Sequence, residues 1–131
     1  MSTPLLHPTL DAVLAIHAEV LGRPGSNASL RSHDLLESAL AAPHAGMPGA
    51  PLLSDPIEIA AAYLFYLGRN DAFMEATKPA ALATCLVFLS ENGLLKSEEL
   101  NVDAWESLTL ETAAGVLRRD EVTCKLRGLL T

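Results

Sequence analysis

Asp71, Glu75, Thr77 and Lys78 fall in one short stretch, RNDAFMEATKP, from residue 69 to 79. They carry the groups that phosphate chemistry uses. A carboxylate holds a divalent cation or orients and deprotonates a hydroxyl, and a lysine neutralises a phosphate. Position adds to type. The stretch runs into an apolar segment that reads as a buried helix, and a helix N-terminus offers an anion unpaired N–H groups and the positive end of a dipole. On this reading the stretch is an anion-binding or catalytic site. The competing reading is a solvated turn, with Asp71 a loop residue, Glu75 an acid favoured by the dipole and Lys78 in water. Phe73 reads as a core plug that pins the loop.

The elements that must position this stretch are helices. Leu10, Val13, Leu14, His17, Val20 and Leu21 recur at three- and four-residue steps, which predicts a helix over about 9–22 with Thr9 as N-cap. Ser32 caps a short second helix that stops near Pro43, and the proline-rich 43–54 is loop. Asp55, Pro56 and Glu58 supply an N-cap, a first-position proline and an acid placed to reach back to the cap, so a third helix runs to about Gly68. The fourth spans about 77–92, with Thr77 as N-cap and Asn92-Gly93 as its stop. Two more are expected over about 101–114 and 120–130. The third and fourth leave almost no polar face, as expected of a hairpin surrounded by protein. No strand-like alternation persists, so the class is all-α, about six helices around a central buried hairpin.

The chain has 131 residues, half of them hydrophobic, which fits a single domain over 1–131 with 1–8 as a flexible tail. A formal charge of −7, with nine scattered Lys and Arg, argues against a nucleic-acid footprint. Ala80 to Leu89, among the longest apolar runs, falls well short of the roughly twenty residues of a membrane span, and the start lacks the pattern of a secretory signal. A cytoplasmic protein is expected. Cys85 and Cys124 sit in helical apolar patterns and read as core thiols. His17 reads as a core or boundary histidine, His33 and His44 are too isolated for a metal-ligand spacing, and His7 falls in the tail. Trp105, with Val102 and Leu108, reads as core.

Two nearly all-apolar helices joined by a polar loop and ending in FLSENGL resemble the core hairpin of the Fic/Doc family. LRSHDLLESALAAP, from Leu30 to Pro43, resembles the segment that precedes this hairpin in the death-on-curing branch of that family. The resemblance covers roughly residues 10 to 115. It implies a catalytic motif of His-x-Phe-x-(Asp/Glu)-(Gly/Ala)-Asn-Lys-Arg, with the His as general base, the acid on Mg²⁺, and the Asn, Lys, Arg and helix N-terminus on nucleotide phosphates. Aligned on Phe73, the chain matches at Phe73, Glu75, Ala76 and Lys78, so the resemblance implies Glu75 as metal ligand, Thr77 and Lys78 as phosphate contacts and Asp71 at the position of the base. The chain differs where Asp71 replaces His, Thr77 replaces Asn and Pro79 replaces Arg.

Each replacement has a consequence. A carboxylate titrating near 3.9 is a weaker base than an imidazole near 6.5. Pro79 removes both a bidentate phosphate donor and a backbone N–H. The expectation is a degenerate Doc-like domain without a cofactor, catalytically impaired and acting as a protein-binding or relic toxin domain. The resemblance implies a small antitoxin-like partner whose C-terminal segment folds as it binds. The alternative it implies is an active phosphotransferase or nucleotidyltransferase, using ATP and Mg²⁺ to modify a hydroxyl of a protein such as a translation factor, with Asp71 in place of the His. A third account gives the pocket to another small ligand.

Overall fold

The computed structural model describes residues 5–22, 30–44, 55–70, 72–95 and 100–130. The helices are α1 (Leu10–Leu21), α2 (His33–Ala41), α3 (Pro56–Arg69), α4 (Thr77–Glu91), α5 (Val102–Ala113) and α6 (Arg119–Leu129), and a 3-10 turn, Ala42–His44, follows α2. The described residues form no strand beyond an isolated antiparallel bridge between Leu30 and Phe73. The protein is all-α, as its periodicity requires.

The helices begin where their capping residues dictate. Thr9 Oγ1 accepts from Ala12 N at 3.0 Å, Ser32 Oγ from Leu35 N at 3.1 Å, and Asp55 Oδ1 from Ile57 N at 2.9 Å, with Pro56 in the first turn of α3. The acid that reaches back to its cap's N–H is seen on α6, where the Glu121 carboxylate accepts from Arg118 N at 2.9 Å. Gly22 closes α1 in the left-handed region, φ 72°.

The α3–α4 hairpin is the centre. α3 packs most extensively on α4 and also touches α2, α5 and α6, while α1 lies on α4. Ile59, Ala60, Ala61, Ala62, Tyr63 and Leu64 are buried in unbroken succession, and Thr84, Cys85, Phe88 and Leu89 are buried on α4. Burial on every side explains why the sequence of α3 lacks a polar face. Thr84, the polar exception on α4, donates Oγ1–H to the Ala80 carbonyl at 2.8 Å and so is satisfied without water. Trp105 and Leu108 close the core from α5, as expected, whereas Val102 faces water.

Two expectations are corrected. Cys85 is a core thiol, its pKa pushed up to about 12 by burial, but Cys124 is exposed. The apolar stripe of α6 runs through Val122 and Leu126, four residues apart, and Cys124 between them points away. Nor is the segment ahead of α1 loose from Leu5 onward. Leu5 packs on the core, Leu6 N donates to Asn92 Oδ1 at 2.8 Å, and Asn92 Nδ2 donates to the Leu6 carbonyl at 2.9 Å. Residues 5–9 thus form a strap across the end of α4. None of the described helices is long and apolar enough to cross a membrane.

Candidate functional site

The loop between α3 and α4 is held from two sides. On one, the Ala72 carbonyl accepts from Arg31 N at 2.8 Å and Ser32 N at 3.1 Å, and Asn70 Nδ2 donates to the Leu35 carbonyl at 3.0 Å. The segment that starts α2 therefore fixes where the loop begins. On the other, the His17 ring of α1 stacks on Phe73, centroids 3.7 Å apart and planes within 10°, and its Nε2 lies 2.9 Å from the Glu75 carbonyl oxygen. A carbonyl only accepts, so Nε2 carries the proton. Phe73 is the buried plug that its sequence context predicts, at 3% exposure, and His17 is the expected core histidine at 2%. The sequence hid what His17 does. An apolar stripe shows that a histidine is buried, but it does not name the loop that the ring will meet 58 residues later.

The turn into α4 is made by backbone. Ala76 adopts φ 59° and ψ 27°, the left-handed region that non-glycine residues seldom enter, and is the N-cap without a side-chain bond. This corrects the assignment of Thr77. Thr77 is the first helical residue, and its Oγ1–H turns back to the Phe73 carbonyl at 3.3 Å. Lys78 and Pro79 are exposed on the first turn and Glu75 is exposed before it. Ala80 N already bonds to the Ala76 carbonyl. Helix geometry leaves the N–H groups of Thr77 and Lys78 without an intrahelical acceptor, and Pro79 has none to offer. Glu75, Thr77 and Lys78 are thus brought together at one helix start, while Asp71 lies outside the described residues.

Beside this start lies a hollow of about 250 Å³ between α4 and α5, lined by Lys78, Pro79, Leu82, Glu106, Thr109 and Leu110. Its walls are mostly apolar, with one charge of each sign at the rim. A second cleft, about 420 Å³, opens between α3 and α6, where Arg119 Nη1 donates to the Tyr66 hydroxyl at 3.4 Å. No residue of the loop lines it.

Comparison with known proteins fits this geometry. A model of the Fic/DOC family matches residues 7–89, which takes in α1 to α3 and all but the last two residues of α4, the helices that build and hold the loop. The chain belongs to the Fic/DOC family. It is also 32% identical over 104 residues to Toxin Doc of Mycolicibacterium smegmatis (strain ATCC 700084 / mc(2)155), covering 79% of this chain and 80% of the relative. Family and relative together place it in the Doc branch. What the first turn of α4 offers an anion is two backbone N–H groups and one ammonium. Glu75 is the sole carboxylate among the described residues of the loop.

Proposed function

We propose that this chain is a Doc-type protein of the toxin family whose nucleotide-phosphate site is degraded and which acts by protein contact, with a small antitoxin-like protein as its partner. The observation that carries this reading is the donor set at the start of α4. Thr77 spends its hydroxyl on the Phe73 carbonyl, Pro79 supplies neither N–H nor guanidinium, and Lys78 is exposed to water. An exposed ammonium attracts phosphate weakly beside a bidentate guanidinium. A single exposed carboxylate holds Mg²⁺ only together with phosphate oxygens and water, so a weak phosphate site is a weak magnesium site too. These residues fit neither group well. The described helices, by contrast, pack closely around the α3–α4 hairpin, and the apolar hollow against α5 adjoins the site with room for side chains of a partner.

Calorimetry of the pure protein with ATP and Mg²⁺ tests the first half. The expected Kd is weaker than about 1 mM, a binding free energy smaller than about 4 kcal/mol. Incubation with labelled ATP and cell extract is expected to transfer no label to protein. Micromolar ATP binding, with label transfer that Asp71→Ala abolishes, would establish the transferase reading instead, with Glu75 on Mg²⁺ and Lys78 on phosphate. The second half predicts a short reading frame immediately upstream whose product copurifies with this chain.

A further inference from the structure

Tyr63 lies in the middle of α3, fully buried, and its hydroxyl is the meeting point of two histidines from elsewhere in the chain. His7, in the strap before α1, places Nδ1 2.7 Å from the phenol oxygen, and His44, at the end of the 3-10 turn, places Nε2 3.0 Å from it. The two imidazoles lie side by side with centroids 4.1 Å apart and planes tilted by 48°. A phenol has one proton, so one imidazole accepts it while the other donates its N–H to the oxygen. Three separate chain segments thus bring two ring nitrogens and an oxygen to one point. These are donor types that borderline divalent metals take.

Mixed sets of imidazole nitrogen and oxygen suit Cu(II) and Ni(II), which stand high in the affinity order of first-row divalent ions. His44 is exposed and His7 partly so, which gives an ion a route from solvent and leaves positions for water.

We propose that His7 Nδ1, His44 Nε2 and the Tyr63 phenol oxygen form a site for a divalent copper- or nickel-class ion, which staples the strap and the 3-10 turn to α3. On binding, the donating imidazole moves its proton to its other ring nitrogen, and the phenol releases its proton to solvent. One proton leaves per ion bound. Burial keeps the metal-free phenol protonated, raising its pKa well above the ordinary tyrosine value, and the cation supplies the charge that stabilises phenolate. Another cluster, His33, Asp34 and Glu37, is exposed on α2 with ligand atoms within 4.8 Å of one another. It shares no residue with the first and serves as the control.

The untagged full chain is titrated with Cu²⁺, and separately with Ni²⁺, by calorimetry, with proton release, visible absorption and thermal unfolding recorded in parallel. The expected result is one ion per chain, one proton released, a phenolate-to-copper charge-transfer absorption and a raised Tm. His7→Asn and His44→Asn each weaken binding about tenfold or more and lose the absorption. His33→Asn leaves both unchanged. Circular dichroism of the metal-free variants confirms that they fold, which is expected because neither histidine is a core residue. Binding as tight in the His7 and His44 variants as in the parent overturns the proposal. So does loss of binding confined to His33→Asn, or binding without the charge-transfer absorption.

Discussion

His17 is the residue on which the loop geometry rests. Its ring covers one face of Phe73, and its Nε2–H satisfies the Glu75 carbonyl, so one side chain fixes both the plug and the backbone just before the turn into α4. Truncation removes the stack and leaves a carbonyl short of its donor. His17→Ala is expected to cost about 2–4 kcal/mol in urea denaturation, and Phe73→Ala about 3–5 kcal/mol. The double variant should cost less than the sum by about 0.5–1.5 kcal/mol, because both changes remove the same ring contact. Additive values would show that the stack holds nothing. The partnership was not legible in the sequence, since it joins α1 to a loop two helices away and no local pattern encodes it. Only the burial of His17 was, through its place in the stripe of Val13 and Leu14.

Helix starts show which signals the chain states openly. Thr9, Ser32 and Asp55 cap α1, α2 and α3 with side-chain oxygens, and those caps could be read directly because the oxygen is the signal. The start of α4 could not be read this way. There the cap is Ala76 in a left-handed conformation, which no side chain advertises, and the nearby Thr77 attracted the assignment. This backbone is strained for an alanine and free for a glycine. Ala76→Gly is therefore expected to stabilise the fold by about 0.5–1 kcal/mol after the entropy cost of glycine, and Ala76→Val to destabilise it, both read from denaturant midpoints. The cap of α3 adds a pH dependence. The Arg127 guanidinium of α6, hydrogen-bonded to Asp55, holds this carboxyl below its usual pKa, despite a smaller opposing effect of burial. A folded pKa below the unfolded one means that the stabilisation is present above about pH 3.9 and is lost as pH falls through the folded value. Asp55→Ala should cost about 1 kcal/mol at pH 7, and parent and variant should converge in strong acid.

At the scale of the whole molecule, the class, the helix order and the central hairpin were legible because burial on all sides of α3 and α4 leaves a compositional mark that spans the entire elements. The strap was not. Leu5 to Thr9 has no periodicity, and its hold on the fold comes from Asn92 and Tyr63, both far along the chain. That hold gives a global acid response that opposes another. Protonating carboxylates relieves the self-repulsion of a chain with a formal charge of −7 and so favours compactness on mild acidification. His7 works the other way. Burial first, then the neighbouring His44, lowers its pKa below the ordinary value near 6.5, so the unfolded chain binds this proton more readily than the folded one. Stability from His7 is complete above about pH 6.5 and declines as pH falls from there toward the folded pKa. Denaturant midpoints measured from pH 7.5 to 5 should accordingly fall more steeply in the parent than in His7→Asn, which keeps a polar side chain without the titration. The difference should build up between about pH 6.5 and the folded pKa, since below the folded pKa both states carry the proton and the two curves run parallel. Identical slopes in the two proteins would mean that the strap lies free of Tyr63 in solution.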